Sequence, residues 1–409
     1  MTEQPKNPAD TSRQNELRAW SAVRTAGAAP RLTFEPPGYL PLLKLHVVNS
    51  LLTVVTLSVW RFWAISRVRR LLWAHIRFDG EPLEYTGNGL EIFVGFLKVV
   101  VLILLPVALV LTGLNVALAD IAPSLVDVLS VVYVLGLFWL FALGKYLSFR
   151  YRVSRTRWRG IRGRLSGTVG GYLWLTLWVS LLTVLTAGWF KPWMDAKRIH
   201  YALDEARAGS LRTITGISGG ALFPAFLFAI LLVPIALGII FVVSRISPGA
   251  GFVAGLLVPA AFAAAFFGYR AAVFRLTAER TLVGPLRFAF TASGWAHAWL
   301  WIGNGLMLFG PAAVATVVTA PLLLAMATGL AADGQKPELP QLQWAAVLSN
   351  LPIYGTLAIT YLLVMPIVWQ RRIRFVCRHL VIIGTFNPAT VRQTAEDPSV
   401  AGEGLIGDF

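Results

Sequence analysis

Gly216-Ile-Ser218-Gly-Gly220 fits G-x-S-x-G, the strand-to-helix elbow that presents a nucleophilic serine for acyl transfer. Such a serine needs a base within hydrogen-bond reach and an acid to orient that base, and no histidine or carboxylate follows in that arrangement. Thr215-Gly216 also matches an earlier Thr86-Gly87, where Asn88 stands in place of the serine, so the segment reads as a turn entering a helix. The five histidines, His46, His75, His200, His297 and His379, form no H-x-x-x-H pair, and without converging ligands no zinc site is expected. Cys377 is the single cysteine, which excludes an intramolecular disulfide and a thiolate cluster; it reads as a small hydrophobe near a helix end. No nucleophile, acid pair or metal cluster survives, so an enzyme is the weaker reading and no cofactor is expected.

Polar groups inside apolar stretches carry more information. His46 lies with Lys44 and Asn49 in one such stretch, where ionisable groups are costly and face protein or water. His46 and Asn49, three residues apart, share a helix face. They line a cavity or relay on one reading; on the other, Lys44 snorkels to the interface and Asn49 bonds a neighbouring helix. Asn304 and Asn350 sit similarly, and a transport function would bring His46, Asn49, Asn304 and Asn350 to one polar cavity. Lys98, Asp120 and Asp127 fall near the ends of apolar runs, where solvated positions are expected.

Arginines form a second group. Arg67, Arg69 and Arg70 are followed by Trp73 and Phe78, and Arg155, Arg157 and Arg159 interleave with Tyr151 and Trp158. Guanidinium groups bind phosphates and aromatic rings sit at the headgroup level, so these six arginines are candidate contacts for anionic lipid.

These residues must be positioned by elements that water does not solvate. Of 409 residues 56% are hydrophobic and 14% charged, against roughly 25% charged in a soluble domain. Apolar runs lie near 39–60, 89–113, 125–144, 168–190, 221–243, 251–268, 295–329 (broken at Gly310-Pro311) and 343–369, most of them long enough for a spanning helix. The net charge of +16 sits in short segments between the runs, which fits membrane topology and not nucleic acid. Residues 145–164 hold eight bases and no acid, whereas 114–124 holds no base, so the basic segments and both termini are assigned to the cytoplasm. Residues 1–30 are polar, with no cleavable signal peptide, and are expected to be a disordered tail. From Gly251 to Ala265 a small-residue face suits close helix packing.

Simple alternation fails at two runs, because 39–60 and 168–190 each have basic segments on both sides. The economical solution is that both enter and return to one face, leaving about six full crossings. Non-helical backbone at membrane depth must be covered, so these re-entrant elements are expected to be buried in the bundle. The two runs also resemble each other: 50–63 reads SLLTVVTLSVWRFW and 180–193 reads SLLTVLTAGWFKPW. Basic-aromatic leads precede them (Arg31 to Phe34, Arg162 to Leu165), and a third lead, Arg287 to Phe290, opens a looser copy. Downstream, Phe78 to Gly87 and Arg207 to Gly216 have the spacing of small strands. The chain divides into a tail (1–30), three membrane repeats (31–144, 145–284 and an interrupted 285–385) and a cytoplasmic C-terminal tail (386–409).

NSLLTVVTLSVWRFWAISRVRR, RFDGEPLEYTG, TRWRGIRGRLSG and the tail element Gly402 to Leu405 together resemble the YjgN family, bacterial inner-membrane proteins defined by a domain of unknown function. The resemblance runs from about residue 31 to the end. It implies a polytopic inner-membrane protein and supplies no activity or catalytic residues. The expected fold is an all-α polytopic membrane protein with internal repeats, re-entrant or interfacial segments and small cytoplasmic β-elements. Two functions remain open: a transporter or channel-like protein, or an organiser or regulator that binds anionic lipid or a protein partner, a second copy included, through its basic face.

Overall fold

The computed structural model describes residues 29–119, 121–247, 255, 257–332, 339–385 and 391–393. Most of the two expected tails, Asp120, Gly251 and the segment Gly402 to Leu405 lie outside the described residues.

The described residues are organised as five helical hairpins, each bracketed by two strands that pair with one another. β1 (Leu32–Phe34) leads into α1 (Tyr39–Val55), and α2 (Arg61–Trp73) leads back to β2 (Ile76–Phe78), where Leu32 lies opposite Phe78. After β3 (Glu81–Pro82) and β4 (Glu84–Tyr85), the long helices α3 (Gly89–Leu118) and α4 (Pro123–Ser154) end at β5 (Thr156–Trp158), with Glu84 opposite Arg157. β6 (Ile161–Leu165) opens a second short hairpin, α5 (Val169–Leu185) and α6 (Lys191–Asp204), closed by β7 (Ala206–Ala208). Two long hairpins follow: β8 (Leu211–Thr215), α7 (Gly219–Ile246), α8 (Leu257–Glu279) and β9 (Thr281–Val283), then β10 (Leu286–Phe290), α9 (Gly294–Ala332), α10 (Leu339–His379) and β11 (Leu380–Ile383). The strands form a three-stranded sheet, β1-β2-β3, and an eight-stranded sheet running from β11 through to β4. Every helix pair therefore leaves the strand layer and comes back to it.

Length separates the two kinds of hairpin. α3 and the spanning part of α4 have 30 and 31 residues, about 45 Å of helix, and among the described residues five helices are long and apolar enough to cross a bilayer. α8, with 23 residues, completes the hairpin begun by α7. α1 and α5 have 17 residues each, about 25 Å, and are followed at once by basic amphipathic helices returning to the strands. Side chains such as Val116, Phe138 and Phe228 stand 76%, 68% and 69% exposed, an arrangement that needs lipid around it.

The tips of the short hairpins match bond for bond. Ser58 N–H donates to Thr53 O at 2.7 Å and Gly188 N–H to Thr183 O at 2.7 Å; Trp60 N–H donates to Thr56 Oγ1 at 2.9 Å and Phe190 N–H to Thr186 Oγ1 at 3.0 Å. Leu57 and Ser58 take φ of 48° and 74°, Ala187 and Gly188 48° and 92°. The expectation that these tips are buried is corrected here: Leu57 is 89% exposed and Leu185 73%. Each backbone N–H from Thr56 to Trp60 has an acceptor inside the turn, so hydrocarbon finds no unsatisfied donor there.

A second correction concerns Gly310-Pro311, where α9 runs unbroken. Proline removes one hydrogen bond, and where no water competes for the freed carbonyl the helix continues on either side. The third segment is consequently a long hairpin from the start.

Candidate functional site

Ser218 accepts from Ala221 N–H at 3.3 Å and so caps α7, as Asn88 accepts from Leu90 N–H at 3.3 Å and caps α3. Its hydroxyl serves the helix end. Among the described residues no group of three or more His, Cys, Asp or Glu side chains is placed to hold a metal.

A cavity of 1150 Å³ lies between α1, α2 and α10. α1 packs on α10 through Leu42, fully buried with Val68 and Leu72 and flanked by Trp369 and Ile373; Tyr39 Oη also donates to Leu363 O at 2.9 Å. That packing sets His46 and Asn49 on the cavity wall, 4% and 2% exposed. The His46 ring meets Tyr361 and Trp369 at 5.0 Å each, and its Nε2 has no hydrogen-bond partner. Asn49 Oδ1 accepts from Trp60 Nε1 at 3.2 Å, while its Nδ2 is buried without an acceptor.

The other two asparagines lie elsewhere. Asn304, on α9, is 3% exposed with neither amide atom bonded, but it lines neither this cavity nor its neighbour. Asn350 is on α10, 11 residues and about 16 Å from Tyr361 toward the end remote from the strands.

Arginines reach the same cavity from three elements. Arg69 of α2 donates to Tyr85 Oη at 3.2 Å, Arg152 of α4 donates from Nε to Ser148 O at 3.1 Å, and Arg372 of α10 stacks 4.3 Å over Trp301. Arg152 and Arg372 are exposed and Arg69 is half-buried. Among the described residues no Asp or Glu lines the cavity and none of these three arginines forms an ion pair. Arg61 lines it at the tip end, its guanidinium turned onto Phe62 at 5.0 Å and Phe96 at 5.6 Å.

A second cavity, 630 Å³, lies under the strands, with Arg157, Arg162 and Arg207 in its wall. Leu32, Trp73, Leu83 and Arg152 line both cavities, so the two adjoin. Val391 lines the second cavity, and Gln393 Oε1 accepts from Arg162 N–H at 3.0 Å, which holds residues 391–393 against it.

Of the arginines expected at a lipid surface, Arg67 and Arg70 are exposed on α2; Arg67 stacks 4.9 Å over Trp60 and Arg70 donates to Gly87 O at 3.2 Å. Arg159 is exposed at a two-residue hairpin turn, with φ of 49°, 3.4 Å from Glu81. Arg155 faces inward: it is 8% exposed, with Nη2 2.9 Å from Glu91 Oε2, which also accepts from Tyr151 Oη at 2.9 Å. Arg69 and Arg157 line the cavities. Only the fold shows which way Arg152 and Arg372 face.

The profile of the family described as "Bacterial protein of unknown function (DUF898)" matches residues 38–408. The chain is similar to the "Inner membrane protein YjgN" of Escherichia coli (strain K12), 28% identical over 142 residues, and to the protein of that name in Escherichia coli O157:H7, 26% identical over 142 residues. Each match covers 35% of this chain and 33% of the relative, so only about a third of those proteins' length is matched. No solved structure matches. A family profile that spans nearly the whole chain, together with five apolar helices of spanning length, makes this a multi-pass membrane protein that belongs to the bacterial DUF898 family.

Proposed function

We propose that the protein is a transporter or channel-like protein of the bacterial inner membrane, and that its substrate enters the cavity between α1, α2 and α10. The observation that carries this reading is the pair of adjoining cavities, which share Leu32, Trp73, Leu83 and Arg152 and lead from the helices to the strand layer. His46 and Asn49 supply buried polar atoms without partners in that wall. Retention of positive charge on the side of synthesis assigns the strand layer, and with it both termini, to the cytoplasm. The matching turns at 53–60 and 183–190 support a common origin of segments 31–144 and 145–284. The names of the Escherichia coli relatives support the inner membrane.

The test is water access. In a Cys377→Ser background, Thr156→Cys and Ser50→Cys line the second and first cavities, and both are expected to react with a small charged thiol reagent in inside-out vesicles. Protection of Ser50→Cys alongside labelling of Thr156→Cys would close the path and end the transport reading.

A second reading rests on exposed Arg67, Arg70 and Arg159. An organiser or regulator would use them to hold anionic lipid or a protein partner at the cytoplasmic face. Their triple replacement by glutamine would then lower binding to anionic vesicles at low salt; unchanged binding removes this reading.

A further inference from the structure

We propose that the larger cavity binds one anionic phospholipid of the surrounding membrane, its phosphate held among Arg69, Arg152 and Arg372. The proposal rests on the reading of that cavity as the place a substrate occupies, and it names the substrate class.

Two features of the cavity define the ligand, and the first is charge. Arginines of three helices line one cavity, and among the described residues no carboxylate lines it with them. Like charges gathered along one wall repel, and a bound anion relieves that repulsion. The guanidinium fork matches phosphate oxygens two at a time. A zwitterionic headgroup would bring its own cation into the cluster, so net negative charge is selected.

The second feature is polarity along the cavity. Arg69, Arg152 and Arg372 lie four, two and seven residues from the strand ends of their helices, within about 10 Å of the strand layer. Leu51, Val54 and Leu362 lie 12, 15 and 17 residues from the strand ends of theirs, about 18–26 Å away. Leu51 and Val54 are 60% and 75% exposed on an apolar helix, so this end opens sideways to acyl chains. A soluble anion uses only the first half of such a cavity; an amphiphile uses both. The volume of 1150 Å³ also exceeds the roughly 300–1,000 Å³ of sites for drug-sized ligands.

The two short hairpins differ at the base that opens the returning helix. Lys191 of α6 pairs with Asp195 one turn on, whereas Arg61, at the matching position of α2, has Ile65 there.

The experiment is native mass spectrometry of the full chain in detergent, equilibrated with equal amounts of phosphatidylglycerol and phosphatidylcholine. The wild type is expected to retain phosphatidylglycerol in about tenfold preference, the scale of one charge-assisted contact. Arg69→Gln with Arg372→Gln should bring the ratio near one, while Arg67→Gln with Arg70→Gln, on the exposed face of α2, should preserve it. Leu362→Trp fills the apolar end without touching charge and should lower phosphatidylglycerol retention, which keeps the test open if the arginine pair misfolds. Equal retention of both lipids by the wild type overturns the proposal, as does equal loss in the exposed-arginine pair. Displacement of the lipid by glycerol 3-phosphate would assign the site to a soluble phosphate instead. Binding is read here without flux: a retained lipid with a water-inaccessible Ser50→Cys removes transport and leaves the site standing.

Discussion

Single side chains decide whether this backbone survives in lipid. Thr56 Oγ1 accepts from Trp60 N–H while its own proton goes to Leu52 O at 2.6 Å, and Thr186 does the same for Phe190 and Leu182. Thr56→Val and Thr186→Val each leave a donor without an acceptor at an exposed tip, and a loss of about 1–3 kcal/mol is expected for each. Thermal unfolding in detergent measures it, and Thr56→Ser should restore most of it. Glu91 shows the same economy at a buried pair. Its carboxylate serves Arg155 and Tyr151 together, so Glu91→Gln should cost about 3 kcal/mol by leaving the Arg155 guanidinium buried with a weaker partner. The double variant Glu91→Gln, Arg155→Gln is expected to lose less than the sum of the single losses, a coupling that a double-mutant cycle resolves.

Between elements, the contact of each short hairpin with the following long helix depends on a glycine. A Cβ on Gly89 would come within 2.6 Å of the Trp63 Cα, and one on Gly219 within 2.8 Å of the Trp193 Cα. These glycines let α3 and α7 start against the backbones of α2 and α6, beneath the stacked pairs Trp60–Trp63 and Phe190–Trp193. Gly89→Ala and Gly219→Ala should each destabilise by about 1–3 kcal/mol, because backbone cannot yield as a flexible side chain can. Gly113→Ala meets nothing within 4 Å and should be neutral in the same unfolding assay. The short hairpins themselves were legible in part: with basic flanks on both sides of 39–60 and 168–190, a return to one face is the more economical of two readings, the other being that both runs span. The exposed tips were not, because the threonine hydroxyls that make them self-sufficient act through geometry that spacing alone does not reveal.

For the molecule as a whole, the distribution of arginine sets orientation, and three single-cysteine variants in the Cys377→Ser background test it. Gly113→Cys, near the end of α3 remote from the strands, should react with an impermeant maleimide added to intact cells. Glu81→Cys, in the strand layer, should react only after permeabilisation. Val55→Cys, 77% exposed at a short-hairpin tip, should resist the reagent from either side, since lipid covers it. Reaction of Glu81→Cys in intact cells would invert the orientation and the cytoplasmic assignment of both cavities.

The sequence by itself determined the solvent of this chain, the positions of the long apolar helices, the small strands at 78–87 and 207–216 and the turn nature of Gly216 to Gly220. These follow from local properties: length of apolar runs, alternation, and residues that cap or turn. His46 and Asn49 were legible as a pair because three residues along a helix is one face. Tertiary structure alone decided that Asn304 lies away from them, that Arg155 turns inward to Glu91, and that Arg69, Arg152 and Arg372 face one cavity. Those outcomes depend on which helix packs against which: α1 against α10, a contact between residues more than 300 positions apart that no local pattern encodes.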